Sequence, residues 1–84
     1  MRHFASAAFW KAYRDLPPAT REAADTAYAL LKTDPHHPSL RLKRVGAYWS
    51  ARIGLRYRAL AVDVEGGLLW FWIGNHAEYD RLIR

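Results

Sequence analysis

Leu68-Leu69-Trp70-Phe71-Trp72-Ile73-Gly74-Asn75-His76 is the stretch whose reading decides the fold. Its first six residues are apolar without a break, and half of them are aromatic. Such a run, with Gly66-Gly67 before it and Gly74 near its end, reads as a strand buried on both faces. A functional-looking tail follows at once: Asn75, His76, Glu78, Tyr79 and Asp80. Chemistry is therefore expected where this strand ends, with earlier elements packed around it and bringing basic groups to that end.

Upstream, the apolar period switches from helical to extended. Ser6 can cap a helix beginning at Ala7. Phe9, Ala12, Tyr13 and Leu16 then fall on one face. Pro17-Pro18 ends that helix near Leu16, because a residue before proline is pushed out of the helical region. Pro18 suits the first turn of a second helix, where its missing N–H costs nothing. Ala24, Ala27, Tyr28 and Leu31 line the apolar face of this helix, which ends near Lys32, before Asp34-Pro35.

After the loop His36-His37-Pro38-Ser39 the period becomes two. Leu40 and Leu42 alternate with Arg41 and Lys43. Trp49, Ala51 and Ile53 alternate with Tyr48, Ser50 and Arg52, and a third segment runs from Tyr57 to Val64. Gly54 and Gly66-Gly67 mark the turns. The expected architecture is α+β: an N-terminal helical hairpin packed on a small antiparallel sheet, with a short C-terminal helix, as a single domain over residues 1–84.

Hairpin arithmetic predicts where the cations meet. Pairing Val64 with Leu68 sets Arg58 opposite Gly74. Pairing Ile53 with Tyr57 sets Arg52 opposite Arg58. A Gly46-Ala47 turn would set Arg41 against Arg52 and Lys43 against Ser50. Opposed residues project to one face, so Arg52, Arg58 and Gly74 are expected together. His76 would share that face if the chain stays extended. The opposite face, carrying Trp49, Ala51, Ile53, Ala59, Ala61, Leu69, Phe71 and Ile73, should meet the helices. Leu60, Val62, Trp70 and Trp72 are expected beside the arginines, either as an open aromatic and cationic surface or as a second small core under the C-terminal segment.

The formal charge is +5, from 13 Lys and Arg against 8 acids. Most of the 13 are Arg, whose planar fork suits phosphate. The charge reads either as a solvated basic surface or as the mark of a polyanion partner. Opposed arginines repel unless an anion sits between them. Arg52 and Arg58, with Arg56 in the turn and Gly74 leaving room, therefore suggest a phosphate seat. Beside it stands His76, and histidine is the side chain most often used as a general acid or base. A phosphate clamp and one such group suffice for RNA cleavage through the 2′-hydroxyl, and no metal is required. His37 in the loop, Arg41 in the alternating segment after it and Arg56 in the turn are candidate RNA contacts. Asn75-His76-Ala77-Glu78 also matches a capping box, and Asp80 can pair with Arg84 one turn on.

No cysteine is present, which rules out disulfides and thiolate zinc sites. No signal peptide is recognisable, and no apolar run reaches the roughly 20 residues that spanning a bilayer requires. A cytoplasmic location is expected, with no membrane association.

The ordered pieces resemble the RelE/ParE superfamily of bacterial type II toxins. The resemblance runs from Phe9 to Ile83. It rests on Leu16-Pro17 between two helices, on Asp34-Pro35-His36-His37-Pro38-Ser39-Leu40, on Arg52-Ile53-Gly54 before Tyr57-Arg58, and on Trp70 to His76 with Glu78-Tyr79. The family pattern Arg-Val-Gly-x-Tyr-Arg reads here as Arg-Ile-Gly-Leu-Arg-Tyr-Arg, with one more residue in the turn. The usual first strand is almost missing, since only Arg2-His3-Phe4 could form it.

The resemblance implies a cognate antitoxin encoded by a neighbouring gene. It implies either RelE-type cleavage of mRNA on the ribosome, without metal or small-molecule cofactor, or ParE-type poisoning of DNA gyrase. A non-toxic binding module on the same fold is the third alternative. Arg58 matches a phosphate-stabilising arginine of RelE-type nucleases, and His76 resembles the position of a catalytic histidine in some of them. With Arg52 as support for Arg58, these three form the expected catalytic set. Lys43 and Arg44 lie where some members carry catalytic basic residues. With Tyr79 they join the candidate RNA contacts.

Overall fold

The computed structural model describes residues 2–83. Along the chain run β1 (Arg2–Ala5), α1 (Ala7–Arg14), α2 (Pro18–Thr33), a 3₁₀ turn (Pro38–Leu40), β2 (Lys43–Val45), β3 (Tyr48–Ile53), β4 (Tyr57–Val64), β5 (Gly67–Asn75) and α3 (His76–Leu82). The strands form one sheet in the order β1-β5-β4-β3-β2. The central hairpins are antiparallel, as the alternation predicts. The sheet as a whole is mixed, because β1 adds to β5 in parallel, with His3 beside Leu68 and Phe4 beside Leu69. The first strand is thus present. Gly67 admits it: a Cβ there would overlap the carbonyl oxygen of Arg2, a close backbone approach of the kind that glycine permits.

Local chemistry sets the helix ends. The Ser6 side chain accepts from the Phe9 N–H at 3.1 Å and caps α1. Pro17 and Pro18 then start α2. Arg21 of α2 donates back to the carbonyls of Arg14 and Leu16, at 3.3 and 3.4 Å, serving groups that the end of α1 leaves unpaired. Asn75 caps α3, accepting from the Glu78 N–H at 2.9 Å.

The helices cover one sheet face. Ala24, Ala27 and Leu31 of α2 are buried in one core with Ala51, Ile53, Ala59, Ala61, Leu68, Trp70 and Ile73. Three residues depart from expectation: Trp70 lies in this core, and Phe71 and Leu69 do not. The cause is a bulge. Ala61 pairs with Trp70 but Leu60 pairs with Trp72, so the register shifts between Leu60 and Ala61 and Phe71 is the extra residue. Phe71 instead lies 5.4 Å from the ring of Tyr48. Leu69, expected on the helix face, pairs with Val62 and shares the outer face with it. The same bulge corrects the turn. Val64 pairs with Gly67 rather than Leu68, yet beyond the bulge Arg58 still meets Gly74.

The outer face carries a second small core. Leu60 and Ser50 are fully buried there, although neither α1 nor α2 covers them, and Gly74 and Tyr79 are buried near α3.

Candidate functional site

Arg52 and Arg58 are direct cross-strand partners, and Arg58 is the partner of Gly74. By register both positions lie on the face opposite the helices, and Arg52 also borders a groove with Ala23, Ala27 and Leu30 of α2. Lys43 pairs with Ser50 and so joins them on the outer face. Among the described residues, none of these three cations makes an ion pair. The Nε of Arg52 donates to the carbonyl of Gly54 at 2.8 Å, which curls the side chain over its own turn. The Arg58 guanidinium lies over the ring of Tyr79, 5.8 Å from its centroid. Its Nη1 is buried and has no hydrogen-bond partner among the described residues. An unmet buried donor costs about 1–3 kcal/mol, and more when charged, so the site holds a positive group whose bonding capacity the chain leaves unused.

Gly74 does not leave open room in front of Arg58. The Trp72 indole fills that space: a Cβ on Gly74 would press on its Cζ2 and lie 2.9 and 3.0 Å from its Cη2 and Cε2. The glycine is needed because the indole folds over it. Sequence reasoning missed Trp72 as a wall of the site, since an unbroken apolar run does not show where each side chain lies.

His76 reaches the site by a different route from the one expected. The chain does not stay extended past Gly74: Asn75 caps α3, and His76 is the first helical residue. Its backbone N–H donates to the carbonyl of Arg56 at 2.8 Å, which ties the start of α3 to the turn between Arg52 and Arg58. The His76 imidazole stacks on Tyr79 at 5.8 Å and 21°. Its Nε2 lies 3.6 Å from the carboxylate of Asp80, one helical turn on, and both side chains are about half exposed. Tyr79 itself is buried. One ring thus touches both the guanidinium of Arg58 and the imidazole of His76. Sequence reasoning missed Asp80 as a partner of His76, although their i,i+4 spacing is a signal that could have found it. The expected Asp80–Arg84 pair falls on a residue outside the described range.

The other candidates are scattered. Arg44 lies across the ladder from Trp49 and points to the opposite face, where it bonds to Asp63 and rests over the Trp49 ring. Asp63 also accepts from the Trp49 Nε1 at 3.0 Å, and these contacts, Arg44 first, hold its carboxyl below the usual range. Arg41 lies outside β2, in the left-handed region at φ 44°, so the expected pairing with Arg52 is not made. His37 is occupied locally, its Nδ1 accepting from the Ser39 N–H at 3.2 Å. Arg56 is exposed in the turn. No cluster of His, Asp and Glu able to hold a metal occurs among the described residues, and no helix there is long and apolar enough to cross a membrane.

Comparison with known proteins identifies the family and the fold. The ParE-like toxin domain family matches residues 18–81. The chain belongs to that family. A search of curated proteins found no match. Among solved structures, this ParE-like chain is similar to the RelB-RelE antitoxin-toxin complex of Methanococcus jannaschii, with a TM-score of 0.74 at 12% identity over 96% of this chain and 99% of that one. It is similar to the YoeB/ParE toxin from Agrobacterium tumefaciens, with a TM-score of 0.68 at 18% identity over 90% and 99%. The isolated Escherichia coli RelE toxin gives 0.63 at 13% identity over 98% and 97%. At these identities the likeness is one of fold. The family model begins at α2 and ends in α3, so it takes in the strands and the helix that build the Arg58–His76 corner.

Proposed function

We propose that this ParE-like protein is a toxin of a type II toxin–antitoxin system that cleaves mRNA on the ribosome without a metal ion. The observation that supports it best is the corner just described: two cross-strand arginines without acidic partners, and a His76–Asp80 pair joined to Arg58 through Tyr79. In this reading Arg58 takes the scissile phosphate and stabilises the charge that builds on its oxygens. Arg52 supports it. His76 moves a proton, either from the attacking 2′-hydroxyl or to the leaving oxygen, and Asp80 orients the imidazole. Reaching the buried Nη1 of Arg58 requires the surrounding side chains to shift when RNA arrives. Lys43 and Arg56 would guide the backbone of the strand by charge. Arg44 and His37, each already engaged by a neighbour, contribute less.

The partner in this reading is an acidic antitoxin from a neighbouring gene, which would cover the basic outer face. One structural relative is itself an antitoxin-toxin complex. Steering by the +5 charge would make the association rate fall as salt rises.

A second reading has its own support. The matching family is described as ParE-like, and a ParE-type toxin would poison DNA gyrase without needing acid–base chemistry. The two readings separate in one experiment. The purified protein is assayed for single-turnover mRNA cleavage on programmed ribosomes and, in parallel, for inhibition of gyrase supercoiling. Cleavage that maps to defined 5′ ends and is lost in folded Arg58→Ala supports the nuclease. Intact mRNA together with blocked gyrase would replace it with the second reading.

A further inference from the structure

We propose that the cleft between the helical hairpin and the sheet binds a small organic ammonium compound carrying a flat apolar body. The cleft lies on the opposite side of the sheet from Arg58 and has a volume of about 310 Å³. That is the lower end of the range for ligand pockets, and room for one or two fused rings. It exists because small residues meet from both layers: Ala24 on α2 faces Ala51 on β3 and Ala59 on β4. Protein interiors rarely leave such a volume empty.

The interior offers a ligand nothing polar. The Trp70 Nε1–H at its floor is already donated to the Nδ1 of His3, at 3.1 Å. His3 is stacked on the same indole, and burial lowers its pKa, which disfavours a positive charge on the imidazole. The mouth is different. Trp10 and Tyr28 are 46% and 45% exposed there, unusually so for large aromatic residues. Trp10 packs edge-on against Tyr13 at 5.4 Å, and the Tyr13 hydroxyl donates to a carboxylate oxygen of Asp25 at 2.8 Å. Asp25 has no basic partner among the described residues, although the chain carries an excess of cations.

Aromatic faces beside a carboxylate that no cation among the described residues neutralises are the chemistry that recognises an organic cation. Tyr28 already holds such a group, since the Nζ of Lys32 lies 4.6 Å from its ring centroid. That ammonium directs an incoming cation away from itself, toward Asp25, Trp10 and Tyr13. The apolar body of the ligand would then lie over the alanines and the Trp70 floor.

Tryptamine, tryptophol and indole-3-propionate share one ring system and carry positive, zero and negative charge. Each is titrated into the ¹⁵N-labelled full chain and followed by NMR. Tryptamine is expected to give saturable shifts at Ala24, Ala51, Ala59 and the indole N–H groups of Trp10 and Trp70, binding about tenfold more tightly than tryptophol, with indole-3-propionate weakest. Asp25→Asn, at an exposed position, should remove the preference for tryptamine over tryptophol while tryptophol itself still binds. Trp10→Ala should weaken tryptamine and leave the melting curve nearly unchanged. Arg58→Ala should leave all three titrations unchanged, which separates this site from the outer face. Equal binding of the three compounds, the same preference in folded Asp25→Asn, or no saturable shift at the cleft would overturn the proposal.

Discussion

Gly74→Ala tests the wall of the site directly. In a strand interior alanine normally improves on glycine by about 0.5–1 kcal/mol, because it restricts the unfolded chain. At Gly74 the added methyl would meet three atoms of the Trp72 ring at or under 3.0 Å. The indole would have to leave its place beside Leu60 and Arg58. Overpacking of this kind costs about 1–3 kcal/mol, and contacts this short belong in its upper half, so subtracting a favourable term of up to about 1 kcal/mol leaves a net loss of about 1–2 kcal/mol. For a domain of this size each kcal/mol moves Tm by roughly 4–8 °C, which puts the drop at about 4–16 °C. The assay is thermal and urea unfolding of four proteins: parent, Gly74→Ala, Trp72→Leu and the double variant. In the Trp72→Leu background the alanine should cost nothing, or gain up to the roughly 0.5–1 kcal/mol that replacing glycine supplies. A coupling of about 1–3 kcal/mol between the two positions is therefore expected. A Gly74→Ala protein that melts at or above the parental Tm would refute the argument, as would an equal loss in both backgrounds.

Other expectations follow from the same geometry. Arg58→Ala should slow cleavage about 100-fold or more, and Arg58→Lys should restore little, since a point charge cannot reproduce the planar fork; single-turnover rates on folded protein decide. His76→Gln should lose about 100- to 10,000-fold, whereas Asp80→Asn should lose less while shifting the pH–rate profile, because Asp80 acts only through His76. Burial lowers the pKa of His3 in the folded state. The unfolded chain therefore binds the proton more readily, and stability present above the ordinary histidine pKa should be lost as pH falls below it. The melting temperature of His3→Gln should fall less between about pH 7 and pH 5 than that of the parent. Asp63→Asn should release Arg44 and Trp49 with little change in Tm, because the pair lies in solvent with both side chains about half exposed.

Much of this was legible because alternation and turn glycines fix register. Arg52 opposite Arg58 follows from Ile53 meeting Tyr57, and Lys43 opposite Ser50 from the Gly46-Ala47 turn. The phase of β5 was not legible. Its apolar run has no polar residue to mark inside from outside, so nothing in the sequence shows that Phe71 is the extra residue and that Trp70 faces the helices. The expected turn over Glu65-Gly66-Gly67, one residue longer than the Glu65-Gly66 turn observed, and the unseen bulge offset each other, which is why Arg58 was still placed against Gly74. β1 was half legible: four residues form a parallel edge strand, and its determinant, Gly67, lies near the other end of the sequence. His76 was placed at the right corner by an extended chain that does not exist. The capping box read from Asn75 and Glu78 pointed to the route the chain takes.

The position of β1 also governs when the fold can be completed. Its partner is the last strand of the sheet, and the contact between Trp70 and His3 spans 67 residues of sequence. During synthesis the β2–β3–β4 meander can assemble as it emerges, but the first strand must wait for the last. Contacts of such long range are slow to form. Until β5 arrives, the apolar face of α1 lacks the strand it packs on, and His76 is not yet attached to the turn at Arg56. A nascent chain therefore carries its cations without the corner that organises them. If the mature protein attacks ribosomes, the ribosome making it is spared until most of the chain is out, and an antitoxin that captured β5 before β1 could would hold the toxin unfinished.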